Sequence, residues 1–215
     1  TNNLKLAFPE KTDQEIALIR KRFYHHFCDM MFEAIKSITI SESEMQKRYV
    51  FTNVEDIHTL EKENRNIVLL MGHYASWEWV FILQTHVNPK ETYSTLIKAK
   101  KDKQLTLNGF VFDQSPKLNK AVYWQDFMGI EVPVHVGAEI LAKRLDMVTL
   151  FLKVKKIKRG HYEATFLDIN RHAKDSADFD ITDLALKRVE EQIHEAPEYY
   201  FWTHKRWKHR GKKPG

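Results

Sequence analysis

His73 and Glu78 are the two residues whose types and spacing indicate chemistry. They follow the apolar run 67–70 and precede a second apolar run, 80–83. The first run is short and contains β-branched residues, which predicts a buried strand, and the second predicts a short helix. On one continuous helix a five-residue offset would rotate Glu78 by about 140° from His73, but across a strand–turn–helix junction the two side chains can meet. We therefore expect Glu78 to orient the His73 imidazole and to stabilise its charged form, as a general base requires.

Motifs for nucleophilic, metal or phosphate chemistry are missing from the sequence. There is no G-x-S-x-G motif, no glycine-rich phosphate loop and no cluster with the spacing of metal ligands. Cys28 is the only cysteine, which excludes an internal disulfide, and its helical context predicts a small core residue. A histidine base without a protein nucleophile favours direct transfer to a substrate hydroxyl, with no metal and no cofactor. The His-x4-Glu spacing alone is weak, because an ordinary histidine at a strand end gives the same pattern.

The elements expected around this junction alternate between strands and helices from residue 66 to residue 169. In a chain of 215 residues this alternation predicts a single α/β domain, spanning 1–215, whose central sheet is largely parallel and flanked by helices. Thr12 and Glu15 form a capping box that begins a long amphipathic helix, and Pro133 is expected to begin another. Residues 1–11 are expected to be irregular.

Asp113 occupies a position comparable to that of His73. It follows the apolar stretch 105–112, which predicts a strand. Because sites of parallel α/β folds lie at the carboxyl ends of strands, both residues are expected at that edge of the sheet.

Positive charge is concentrated at the carboxyl terminus. Residues 204–215 hold six of the 34 Lys and Arg residues and no acid, and the remaining 28 are balanced by 29 Asp and Glu residues. The formal net charge of +5 is therefore a property of this tail. A basic tail suits an anionic surface, and the residues expected to contact anionic lipid are Lys205, Arg206, Lys208 and Arg210. The tail is also compatible with an ordinary solvated terminus.

Three blocks of residues carry a resemblance to a known family. They are Gly72-His73-Tyr74-Ala75-Ser76-Trp77-Glu78-Trp79, then Phe112-Asp113-Gln114-Ser115-Pro116, and finally residues 197–208, which contain Trp-Thr-His-Lys-Arg-Trp-Lys. In these blocks the sequence resembles the late acyltransferases of lipid A biosynthesis, the lauroyl/myristoyl-transferase family of Gram-negative bacteria, and it is most similar to their Bacteroidetes branch. The blocks occur in the family's order and span most of the chain.

The resemblance implies a fold like that of the lysophospholipid and glycerol-phosphate acyltransferases. It also implies transfer of a fatty acyl chain from an acyl-carrier-protein thioester to a hydroxyl of a lipid A precursor, without a covalent acyl-enzyme. His73 would be the general base and Glu78 its orienting acid, while Asp113 and Gln114 would bind substrate or support the site. Trp77 is a candidate wall of the groove for the acyl chain, although an aromatic residue at its spacing also suits a plain core. The reaction would take place at the cytoplasmic face of the inner membrane.

The sequence departs from the family pattern in two places. The family has a hydrophobic segment upstream of Thr1, and it has a longer stretch near residues 97–98 that includes an arginine linked to function. We expect an amino-terminal membrane anchor and a segment near 97–98 to be missing from the chain. Two alternatives stay open, an acyltransferase for a lysophospholipid or amino-acid lipid and a catalytically silent protein that binds anionic membranes. Nucleic acid is not expected as a partner, because the basic residues are confined to one terminus.

Overall fold

A central five-stranded sheet organises the molecule, which is known from a computed structural model that describes residues 1–82 and 105–214. The strands of this sheet are β1 (Tyr49–Phe51), β2 (Ile67–Met71), β3 (Leu107–Val111), β6 (Val148–Lys158) and β7 (His161–Asn170), and a separate hairpin holds β4 (Trp124–Phe127) and β5 (Ile130–Pro133). The order in the sheet is β1-β7-β6-β2-β3. Its β1/β7, β6/β2 and β2/β3 pairs are parallel, whereas β6 and β7 are antiparallel. The prediction of an α/β fold with a largely parallel sheet is confirmed.

Helices flank this sheet. In chain order they are α1 (Asn2–Ala7), α2 (Asp13–Lys36), α3 (Glu42–Arg48), α4 (Val54–Lys62), α5 (Trp77–Ile82), α6 (Gly137–Leu145) and α7 (Asp180–Glu195). The predicted capping box of α2 is present, because Thr12 accepts from the Glu15 amide while the Glu15 carboxylate accepts from Thr12. Among the described residues, no helix is long and apolar enough to span a bilayer.

The register of β2 against β3 places two predicted site residues together. Every residue of β2 is buried, as expected for a strand covered on both faces. Met71, the last residue of β2, pairs with Val111, the last residue of β3. Because the two strands are parallel and end level with each other, the segments that begin at Gly72 and Phe112 leave the same edge of the sheet side by side.

The structure differs from the sequence-based expectation in several elements. Residues 2–7 form a helix rather than an irregular segment, and Pro133 ends strand β5 instead of beginning a helix. Met128 and Gly129 both have positive φ, so they form the tight turn that the right-handed twist of a β4–β5 hairpin requires. The sequence did not predict this hairpin, because Met is an unusual residue at a turn position with positive φ.

Two further expectations concern Cys28 and a segment that the structure does not describe. Cys28 is exposed, so the prediction that it is a core residue is wrong. The missing segment expected near 97–98 lies outside the described residues.

The carboxyl-terminal segment is an integral part of the core. Tyr200, Trp202, Arg206 and Trp207 are all buried, and the Trp207 indole donates to the Phe127 carbonyl at 3.2 Å. The aromatic residues and Arg206 of this segment therefore pack into the core and against the β4–β5 hairpin, so this part of the tail is not a solvated terminus.

Candidate active site

His73 lies in a tight turn between β2 and α5. Gly72 permits this turn to pack closely, because a Cβ atom there would lie 3.1 and 3.2 Å from the two methyl groups of buried Val189. The turn is held from the other side by the carboxyl-terminal segment. The Phe201 amide donates to the His73 carbonyl at 3.1 Å, and the Ala75 amide donates to the Tyr199 carbonyl at 2.9 Å. Both sides of the His73 backbone are therefore fixed before any substrate arrives.

Both ring nitrogens of His73 have a partner. Nδ1 lies 2.5 Å from Oδ1 of Asp113, and Nε2 lies 2.9 Å from the amide nitrogen of Gln114. The His73 backbone N–H also donates to the Asp113 carboxylate, at 3.1 Å from each oxygen. The two predicted supporting residues, Asp113 and Gln114, thus contact the imidazole directly.

These contacts select one tautomer of His73. A carboxylate can only accept, so the proton of the neutral ring lies on Nδ1 and points at Asp113. The Gln114 amide donates to Nε2, which therefore presents its lone pair. With a side chain that is 12% exposed, His73 holds an unprotonated nitrogen at the surface of the site and a carboxylate behind it. This is the arrangement of a general base.

The predicted partner Glu78 does not have the role expected for it. Glu78 lies in the first turn of α5 and is half-buried, but among the described residues both nitrogens of His73 are taken by Asp113 and Gln114. The carboxylate that orients His73 is Asp113, so the predicted pairing with Glu78 is wrong. The physical reason is that strands β2 and β3 end level with each other. This register brings Asp113, 40 positions away in sequence, into hydrogen-bonding distance of His73. A catalytic function of Glu78 stays a prediction.

Asp113 is a buried charge with its own supporting residues. Its side chain is 1% exposed, and the side chain of buried Tyr200 lies close enough to interact with its charge. Burial raises the pKa of Tyr200 well above its usual value, and the charge of Asp113 adds to this shift. Burial lowers the pKa of the Arg206 guanidinium, which the negative charge of Asp113 opposes. Donors and a nearby cation therefore compensate the carboxylate that orients His73.

Aromatic rings enclose the imidazole. The Trp77 ring meets it edge-on with 4.8 Å between centroids, and Phe201 stacks against it at 6.1 Å. Apolar walls of this kind exclude water around the base and strengthen its interaction with Asp113. Trp77 therefore contacts His73, and its contact with an acyl chain stays a prediction.

The serine of the Asp113-Gln114-Ser115 turn has a partner other than His73. Ser115 Oγ donates to the Arg206 carbonyl at 2.6 Å. In the part of the chain that the structure describes, no hydroxyl or thiol side chain contacts His73, and no group of three or more acidic, His or Cys residues has the geometry of a metal site.

The sequence model described as bacterial lipid A biosynthesis acyltransferase matches residues 1–108 and 86–209. The two stretches together cover almost the whole chain. The protein belongs to this family. It is therefore an O-acyltransferase that acts in lipid A biosynthesis on a lipid A-type acceptor, and the family predicted from the sequence blocks is confirmed. A comparison with curated proteins found no similar sequence.

His204 of this lipid A acyltransferase reaches the site from the carboxyl-terminal block. His204 Nε2 accepts from the Ser115 amide at 3.2 Å, and burial lowers the pKa of His204, with Lys208 and Arg206 adding to the shift. Sequence reasoning used this block to recognise the family but did not place His204 beside the Asp113-Gln114 turn. The contact joins residues 89 positions apart, so no local pattern in the sequence indicates it.

The predicted lipid contacts of the acyltransferase divide into two groups. Arg206 is fully buried, donates to the Pro133 carbonyl at 2.9 Å and lies over the Phe127 ring, so its prediction as an anionic lipid contact is wrong. Its neighbours Lys205, Lys208 and Arg210 are exposed, and their contact with lipid stays a prediction.

Proposed function

We propose that this acyltransferase uses His73 as a general base to transfer an acyl chain directly from a carrier-protein thioester to a hydroxyl of its lipid A-type acceptor. The observation that supports the proposal is the position of the His73 ring between Asp113 and Gln114. A base must present a lone pair and must be stabilised once it is charged. Nε2 of His73 meets the first requirement and the Nδ1 contact with Asp113 meets the second.

In the proposed step the acceptor hydroxyl replaces Gln114 as the partner of His73 Nε2. Nε2 takes the hydroxyl proton while the hydroxyl oxygen attacks the thioester carbonyl carbon. The new C–O bond forms, the C–S bond breaks, and the departing thiolate receives the proton from the imidazolium of His73. The carrier protein leaves as a free thiol and the lipid gains one ester. No acyl group is attached to the enzyme at any stage.

The other predicted site residues have supporting roles in this proposal. Gln114, once displaced from Nε2, has a free amide that can donate to the oxygen on which charge develops. Trp77 packs against the reacting groups and excludes water. We keep Glu78 in the proposed site because it is the acid of the His-x4-Glu block by which the chain resembles its family. The exposed cations Lys205, Lys208 and Arg210 would contact anionic lipid at the cytoplasmic face of the inner membrane.

The proposal is tested by incubating the 215-residue chain in detergent with acyl-carrier-protein thioesters and a lipid A precursor. We expect a product heavier than the acceptor by one acyl group, seen by mass spectrometry, and we expect His73→Ala to abolish it. The exposed histidine variant His58→Ala is the matched control and should keep full activity, since His58 is far from the site on α4. Full activity of His73→Ala, or hydrolysis of the thioester without transfer, would refute the proposal.

A further inference from the structure

Helix α2 carries a second apolar face in addition to the one that packs on the core. Its core face consists of buried residues such as Ile16, Ile19, Phe23 and Met30. On the opposite side, its carboxyl-terminal half exposes residues at helical spacing i, i+4, i+7, i+8 and i+11. This outer stripe comprises Tyr24 (53% exposed), Cys28 (exposed), Met31 (43%), Phe32 (66%) and Ile35 (64%). Ile38, just beyond the helix, is 82% exposed.

A stripe of this kind requires an explanation. Single exposed apolar residues are common, but a continuous row of large ones marks a surface that meets an apolar partner. The row spans about three turns of one helix. It includes two aromatic rings, those of Tyr24 and Phe32. A helix with apolar residues on its outer face and basic residues beside them is the form that lies in the interface of a bilayer.

The charges beside the outer stripe are positive. Arg20, Lys21 and Lys36 are exposed on the same helix, whereas Arg22 pairs with Glu198 at 3.8 Å. The acids of this half of α2 face the other way. Asp29 pairs with Lys156 at 3.1 Å and with Arg159 at 2.7 Å, and Glu33 is buried against the Tyr162 hydroxyl. The net charge presented around the stripe therefore complements an anionic surface.

The outer stripe is connected to the active site through two rings. Phe27, on the flank of α2, packs against Phe201 with 6.1 Å between centroids, and Phe201 stacks on His73 at the same distance. His26 meets the ring of Tyr199, which belongs to the segment that holds the His73 turn. Helix α2, which carries the stripe, therefore packs on residues that contact His73.

We propose that the outer stripe of α2 is the surface by which this enzyme docks on a bilayer that contains anionic phospholipid, placing the lipid acceptor beside His73. Delivery of the acceptor to His73 rests on the proposed function. Docking of the stripe on a bilayer does not require that His73 act as a base. A second copy of the chain fits the surface less well, because a symmetric contact through the stripe would bring the Lys21 and Lys36 side chains of both copies together.

Cys28 allows the docking to be measured directly. It is the only cysteine of the chain and lies in the middle of the outer stripe, so a polarity-sensitive fluorophore can be attached there alone. We expect a blue shift and increased emission when vesicles of phosphatidylethanolamine with about one quarter phosphatidylglycerol are added, as for a group that enters the interface. The control carries the label on Val122→Cys in a Cys28→Ser background, because Val122 is 71% exposed and distant from α2 in sequence. Its emission should not change.

A substitution experiment tests the same surface without a label. The stripe variant combines Met31→Gln, Phe32→Gln and Ile35→Gln, all at exposed positions, so the fold should be retained. We expect vesicle binding to weaken at least about tenfold, since each large side chain withdrawn from water contributes about that factor. The matched control combines Leu118→Gln, Val122→Gln and Ile157→Gln, which are exposed elsewhere, and should bind as the unmodified chain does.

The outcomes separate this inference from the proposed function. Weaker vesicle binding by the stripe variant, with undiminished transfer to an acceptor dispersed in detergent, supports the docking surface. Unchanged vesicle binding by the stripe variant, or an unchanged Cys28 signal, overturns it. A change from dimer to monomer in the stripe variant with vesicle binding intact also overturns it, in favour of self-association. If the unmodified chain gives no product in detergent, the proposed function fails while the vesicle result still decides the docking surface.

Discussion

Replacement of Asp113 by Asn is the most informative single substitution at the site, because it keeps the shape and removes the charge. Asp113 accepts from two donors of His73, the backbone N–H and the Nδ1–H. An Asn side chain has one acceptor oxygen, and its NH2 group would face a donor. The ring of His73 can then relieve the clash by moving its proton to Nε2, which removes the lone pair that the reaction needs.

The size of the effect follows from these contacts. General-base catalysis contributes about 10²–10⁴ in rate, which corresponds to about 3–5 kcal/mol of transition-state stabilisation. We expect Asp113→Asn to lose most of this, because it removes both the correct tautomer and the charge that stabilises the imidazolium. The value of kcat/KM should therefore fall by about 10²–10⁴.

The assay is product formation with saturating thioester and varied acceptor, at a temperature at which circular dichroism shows the variant folded. The exposed variant Asp126→Asn is the control for the loss of one negative charge. Because Asp113 acts through His73, adding Asp113→Asn to His73→Ala should cause little further loss. A variant within about tenfold of the unmodified enzyme would refute the assignment of Asp113, as would fully additive effects of the two substitutions.

Three further predictions concern the framework of the site. Gly72→Ala should lower the free energy of unfolding by about 1–3 kcal/mol, since its Cβ would crowd Val189. Chemical denaturation measures this loss, and adding Val189→Ala to the same chain should restore part of it. Arg206→Met should cost about 1–3 kcal/mol, because the Pro133 carbonyl loses its donor in a buried setting, whereas exposed Lys208→Met should change little in the same denaturation assay. Burial, together with the charge of Lys156, lowers the pKa of His26 from 6.5 to about 4, so its neutral form stabilises the fold above about pH 6.5 and this stability is lost as the pH falls toward 4. His26→Gln should remove up to about 3 kcal/mol of the difference in unfolding free energy between about pH 7.5 and pH 4.5, and an unchanged difference would contradict the pKa.

Local signals in the sequence predicted most of the sheet and the long helices. The apolar run that became β2 and the capping box at Thr12 depend on neighbouring residues alone, and both appear in the structure as expected. The same holds for the position of His73 just after β2. A strand that is buried on both faces and a reciprocal cap leave few alternatives for the backbone, so short-range reasoning is sufficient there.

The partner of His73 required information that short-range patterns do not contain. Glu78 is five positions from His73, but the register of two strands decides that Asp113 lies closer. The prediction for Arg206 was wrong for a similar reason, since a basic residue in a basic tail is expected to be exposed. Its burial depends on Phe127 and Pro133 of the hairpin, whose turn at Met128 has no strong sequence signature. Long-range register and packing therefore account for both errors.

Direct passage of the acyl chain from the thioester to the lipid hydroxyl, with His73 as the base, can be tested on the enzyme itself. The measurement is the intact mass of the enzyme, taken by rapid quenching during the first turnovers with thioester and acceptor present. We expect the acylated lipid to accumulate while the mass of the enzyme stays unchanged at every time point. An enzyme heavier by one acyl group, formed before the product and consumed as the product appears, would contradict it.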